Sequence, residues 1–124
     1  MAINPYERYK QQSVMTMTQG EMLIKLWDET LKQLSSGVIF IEKKDFSQSN
    51  KALQKAQQII NHLRATLNFK YEMSNDLDAL YEFFISKIVE ANIQKASNPI
   101  EEILPMITEL RDSFAQAERS ARMK

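Results

Sequence analysis

Four stretches of the chain repeat apolar residues every three or four positions, and short polar stretches separate them. In the first, Leu23, Trp27, Thr30, Leu34, Val38 and Ile41 share one helical stripe. The second places Ala52, Ala56, Ile59, Ile60, Leu63 and Leu67 together. The third has Leu77, Leu80, Tyr81, Phe84, Ile88 and Ala91, and the fourth Ile100, Ile103, Leu104, Ile107, Leu110 and Phe114. These patterns predict helices over about 18–44, 46–69, 75–96 and 99–120. Links this short fold neighbouring helices back on one another. The expected fold is all-α, an antiparallel up-down four-helix bundle. It forms one domain over 18–124, with residues 1–17 as an N-terminal leader that caps it.

Local signals mark the helix ends. Thr18 and Glu21 have capping-box spacing ahead of the first stripe. Ser74 or Asn75 suits the start of the third helix, with Asp76 and Asp78 favourable in its first turn. Asn98 before Pro99 reads as an N-cap and first helical position, followed by Glu101 and Glu102. Pro105 lacks the amide that would bond Glu101, which predicts a kink or a start delayed toward Leu104.

Some apolar residues fall outside the stripes. Ile39 lies nearly opposite the first stripe, and Met22 and Phe40 lie well off its centre. Phe83, Val89 and Ile93 lie outside the third, which predicts a central helix flanked on two sides. Such residues have two readings, cover by a neighbouring element or the wall of a partner groove. The leader has two as well. Tyr6 and Tyr9, three apart, share a face if that segment is helical, and Val14 and Met15 then anchor the approach to Thr18. The leader is then a lid over the bundle, and the other reading is a disordered tail. The candidate protein-binding residues are therefore Tyr6, Tyr9, Val14, Met15, Ile39, Phe40, Phe83 and Ile93.

Composition narrows the classes of function. Lys and Arg together number 16, as do Asp and Glu, so net charge draws the chain to neither nucleic acid nor anionic membrane. No cysteine is present, which excludes disulfides and thiolate zinc. No run is long enough for membrane insertion, and the first residues do not read as a signal peptide. The expected location is cytoplasmic. The second helix carries Lys51, Lys55 and Arg64, with Lys70 beyond, and no acid between them, while the third opens acidic with Asp76, Asp78 and Glu82. The two helices then complement each other.

No catalytic constellation emerges, so the chain is expected not to be an enzyme and to need no cofactor. The single histidine, His62, stands three residues after Ile59, without the Glu-x-x-His spacing of a di-metal bundle. It admits one alternative, a histidine phosphotransfer bundle, yet Leu63, Arg64, Ala65 and Thr66 follow it where that class has Lys and then Gly. Ser13, Thr16, Thr18 and Thr30 have no evident base. No glycine-rich loop cradles phosphate, with Gly20 and Gly37 the only glycines. Seven methionines, with Met15, Met17 and Met22 close together, suit either an adaptable binding surface or ordinary core filling.

Several short motifs occur in a familiar order. Asn4-Pro5-Tyr6, Tyr9, Ser13-Val14 and Thr18 with Glu21 open the chain, and Lys25-Leu26-Trp27-Asp28-Glu29 follows. Next come Lys55-Ala56-Gln57-Gln58-Ile59-Ile60, Leu77-Asp78-Ala79-Leu80-Tyr81-Glu82-Phe83, Ala91-Asn92-Ile93 and Leu110-Arg111-Asp112-Ser113-Phe114. Together they resemble the FliS family of flagellin-specific export chaperones over nearly the whole chain. Gln19 stands where that pattern commonly has Pro, Trp27 where it has Tyr, Glu29 where it has a small residue and Phe114 where it has Trp. The changes at 27 and 29 are expected to bear on the surface near the leader. The resemblance implies a helical bundle with a capping leader. It also implies a partner, the disordered C-terminal segment of flagellin, held as short helices and extended pieces wrapped over the bundle. Binding would block premature polymerisation and deliver flagellin to the flagellar type III export gate. Some members also bind the flagellar anti-sigma factor, and an exposed groove is compatible with a homodimer. An adaptor for another amphipathic helix remains the alternative that residues alone leave open.

Overall fold

The computed structural model describes residues 17–123. Among them are four helices: α1 (Gln19–Glu42), α2 (Phe46–Ala65), α3 (Met73–Gln94) and α4 (Asn98–Arg122). Gly37 of α1 lies against Leu53 near the start of α2, and Arg64 near the end of α2 pairs with Asp78 near the start of α3. Glu21 in the first turn of α1 pairs with Arg122 at the end of α4, and Asp28 and Arg111 pair near the middle of the two helices. Successive helices therefore run in opposite directions. They close a four-membered ring in which α1 neighbours α2 and α4, and α3 neighbours the same two. This is the antiparallel four-helix bundle expected from the stripes. The third helix is not the central one, because each helix has two neighbours and the most intimate pair is α1 with α2.

The helix ends follow from local chemistry. The Glu21 amide donates to Thr18 Oγ1 at 3.1 Å, so Thr18 caps α1. The Glu21 carboxylate does not close a reciprocal box but pairs with Arg122 of α4. Thr18 Oγ1 itself donates to Glu118 Oε1 at 3.0 Å. At Gly20 a side chain would run into that Glu118 carboxylate, so the missing Cβ lets an acid of α4 sit against the first turn of α1. At the far end of α1, Lys44 takes φ 60, and the Lys44 and Asp45 amides donate back to Ile41 and Phe40 carbonyls at 2.9 and 2.8 Å. Asp45 then caps α2 by accepting from the Gln48 amide at 3.3 Å.

Three boundaries differ from the sequence expectation. Helix α2 stops at Ala65 rather than near 69, where the Thr66 hydroxyl donates to the Leu63 carbonyl at 2.7 Å. Helix α3 begins at Met73, and Ser74 does not cap it. The buried Ser74 hydroxyl instead donates to the Asn68 carbonyl at 2.6 Å and ties down the preceding turn. Helix α4 begins at Asn98 and runs unbroken past the exposed Pro105, so Ser97 rather than Asn98 precedes the first helical residue and the start is not delayed.

At the core, Trp27 of α1 reaches across to α3. Its ring lies 5.2 Å from that of Tyr81 and 6.2 Å from that of Phe84, the second pair edge-on at 84°. Leu34, Leu53, Ile60, Ile88, Ile100, Ile103 and Ile107 are the other large apolar side chains that are fully buried. Trp27 carries a cost, since its buried Nε1 finds no hydrogen-bond partner among the described residues, worth about 1–3 kcal/mol. The substitution at position 27 thus changes the core rather than the surface.

Candidate functional site

Small residues bring α1 and α2 together at one end, where Gly37 packs on Leu53 and Ala52. Toward the other end, Leu23 and Leu26 of α1 and Ile59 and Leu63 of α2 line a cleft at the edge of the core. Two hollows, of about 360 and 340 Å³, share Leu26 and His62 and so adjoin end to end in one trough along the α1/α2 seam. Leu23, Leu26, Ile59 and Leu63 supply its apolar floor, and Met22, 39% exposed, adds a flexible apolar lip. The rims are polar, with Gln19, Glu29 and Gln33 on α1 and Lys55, Gln58, His62 and Thr66 on α2. From Gln19 to Gln33 the trough follows α1 for roughly 20 Å at the usual helical rise. An apolar floor, polar rims and that length are what an amphipathic helix requires of a receptor.

The Gln33 side-chain amide donates to Glu29 Oε1 at 2.8 Å and holds that acid on the α1 rim. Across the cleft, Lys55 has no ion-pair partner among the described residues. Arg64, on another face of α2, is engaged with Asp78 at 2.6 Å and with Glu82 at 3.4 Å. The hydrogen bond to Asp78 raises its pKa further above its ordinary value. The complement expected between α2 and α3 is thus made by Arg64. Among the described residues no cluster of three or more His, Asp or Glu side chains could hold a metal ion. None of the described helices is long and apolar enough to cross a membrane.

The off-stripe candidates do not gather at this cleft. Ile39, 50% exposed, shares the heading of Glu21 after about five turns and so points toward the α4 side. Phe40 is half-buried and shares the heading of Met22, on the α2 side, one to two turns beyond the cleft's upper end. Phe83 is half-buried under Lys87, whose ammonium lies 5.6 Å from the ring centroid and 3.0 Å from Glu102 of α4. Ile93, 74% exposed, lines a separate polar notch of about 440 Å³ between α2 and α3, with Phe46, Asn50 and Asn92. Each of the four therefore sits at a different seam of the bundle. Tyr6, Tyr9, Val14 and Met15 lie outside the described residues. The cleft itself had a sequence signal that the core stripes hid. Met22, Leu26, Glu29 and Gln33 form a second line at spacings of four, three and four beside the first stripe, and Lys55, Ile59, His62 and Thr66 do the same on α2.

A family model described as flagellar protein FliS matches residues 2–121 of the chain. The chain belongs to the FliS family. Among FliS relatives, the flagellar secretion chaperone FliS of Bacillus subtilis (strain 168) is 38% identical over 123 residues, covering 98% of this chain and 92% of its own length. The flagellar secretion chaperone FliS of Escherichia coli (strain K12) is 26% identical over 108 residues, covering 85% of this chain and 79% of its own. A solved crystal structure of a flagellar chaperone from bacteria superposes with a TM-score of 0.78 over 93% of this chain and 95% of that one. At 18% identity that likeness speaks to the fold. Within the FliS pattern, Gln19 and Glu29 are departures that change the surface, because both stand on the rim of the cleft.

Proposed function

We propose that this protein is a cytoplasmic export chaperone for flagellin. It binds the disordered C-terminal segment of newly made flagellin, keeps it from polymerising before export and carries it to the flagellar type III export apparatus. The observation that carries this reading is the 38% identity over 98% of the chain to a protein named a flagellar secretion chaperone. The α1/α2 cleft supplies the physical means. A segment that must stay unfolded for export still has apolar side chains that need cover, and a trough floored by Leu23, Leu26, Ile59 and Leu63 covers one apolar helical face. A disordered segment bears an ordering cost when it binds, so a rigid, preformed receptor suits the task.

The leader joins the bundle beside the same cleft. Residue 17 adjoins the Thr18 cap of α1, and the cleft begins at Gln19. Residues 1–17 would act there as a lid that flagellin displaces or rearranges, with Tyr6 and Tyr9 as its aromatic contacts. The experiment is calorimetric titration of the full chain with a peptide of the cognate flagellin's C-terminal segment, repeated after deletion of residues 1–17. The chaperone reading expects saturable binding at micromolar or lower concentration, and a changed affinity after the deletion. No heat of binding in that range sinks the chaperone reading, and equal affinities sink the lid alone.

A further inference from the structure

The two walls of the α1/α2 cleft differ in charge. On α2, Lys55 borders the trough, and Lys51 lies one turn earlier on the same exposed face. Neither has an ion-pair partner among the described residues, and α2 carries no acid along its whole length. On α1 the charged residue in the wall is Glu29, fixed in place by Gln33. Among the side chains that line the trough, the cation Lys55 thus stands on the α2 side and the held carboxylate of Glu29 on the α1 side, with Lys25 and Lys32 of α1 lying outside the lining.

From this we infer that the cleft selects a helix with an acidic flank and seats it in one orientation. The inference rests on the cleft being the binding site proposed above. The occupant is a partner helix whose apolar face meets Leu26 and Ile59, whose acidic residues lie against Lys51 and Lys55, and whose opposite flank is neutral or basic. The same helix seated the opposite way round brings its acids against Glu29. Charge placed across an apolar contact decides register and orientation more than total affinity. With α1 and α2 fixed, specifying which flank faces α2 also specifies which way the partner chain runs along the trough.

The test uses the full chain and three probes in parallel titrations. They are the cognate flagellin C-terminal peptide, a designed amphipathic helix with acids on the matching flank, and the same helix with its flanks exchanged. Lys51→Glu with Lys55→Glu, both at exposed positions, is expected to weaken the first two probes about tenfold at low ionic strength, and the difference is expected to shrink in high salt. With a nitroxide at the same end of each designed helix, the flank-exchanged helix is expected to broaden methyl signals at the opposite end of the trough from its parent, and the charge-reversed variant is expected to lose that difference; broadening at the same end by both helices overturns the orientation claim. The exposed Gln58→Trp, which fills the trough without touching the core, is expected to weaken the flagellin peptide and both designed helices. If Gln58→Trp weakens the peptide while charge reversal leaves it within twofold, the cleft is the site and the charge selection is wrong. If Gln58→Trp changes nothing, the cleft is not the site and the inference falls with it.

Discussion

Exchanging side-chain volume across the α1/α2 contact should show strong non-additivity. Leu53 is fully buried, and its Cδ2 would lie 2.7 Å from a Cβ added at Gly37. Leu53→Ala removes most of a buried side chain opposite a residue with no side chain to move in. The loss should sit near the middle of the range for such truncations, about 3.5 kcal/mol. Gly37→Ala gains about 1 kcal/mol of helix propensity but forces a methyl group into a filled space, an overpacking cost of about 1–3 kcal/mol. Its net effect is a destabilisation of about 1 kcal/mol. In the double variant the new methyl occupies room that the truncated Leu53 has vacated. The overpacking cost disappears and part of the cavity closes, so the pair should cost about 2 kcal/mol, well below the two single losses together. Urea denaturation followed by the fluorescence of the single, buried Trp27 reads all four stabilities. Single losses that add to within about 0.5 kcal/mol would refute the claim that Gly37 exists to admit Leu53.

Other consequences are simpler to test. Lys44 and Lys95 take φ 60 and 55, where a side chain is strained, so Lys44→Gly or Lys95→Gly should raise stability by about 0.5–1 kcal/mol in the same urea assay. Burial pushes the Tyr81 phenol up from 10.0 to about 12. Its folded value lies above its unfolded one, so the stability it confers is fully present below pH 10 and is lost as pH rises toward 12. Tyr81→Phe should flatten that alkaline fall in denaturation midpoint. Glu118 accepts from Thr18 and Arg122, so Glu118→Ala should cost about 1 kcal/mol and increase hydrogen exchange in the first turn of α1.

The bundle was legible because its stripes are long and its links short. Residues such as Trp27, Leu34, Phe84, Ile88 and Ile107 sit at helical spacing, and the core is built from them. What escaped the stripes was relational. Leu53 falls off the centre of its own stripe, yet it is fully buried because Gly37, on another helix, leaves it space. Ile59 sits on a stripe but is only half-buried, because it lines the α1/α2 cleft instead of the core. Ser74 has the composition of a cap, but its hydroxyl is claimed by the Asn68 carbonyl of the turn before it. The exposed Ile39, Ile93 and half-buried Phe40 and Phe83 were visible as exceptions, but the seam each one faces depends on the order of helices around the ring. Motif order over the whole chain carried the family, and the position of the cleft needed the packing.

Isoleucine and leucine methyl NMR of the full chain, titrated with the cognate flagellin C-terminal peptide, tests the cleft most directly. The account predicts that the methyl signals of Leu23, Leu26, Ile59 and Leu63 shift first and most, while those of Ile39 and Ile93, at other seams, shift less. Dominant shifts at Ile39 or Ile93, with Leu26 and Ile59 unmoved, would contradict it.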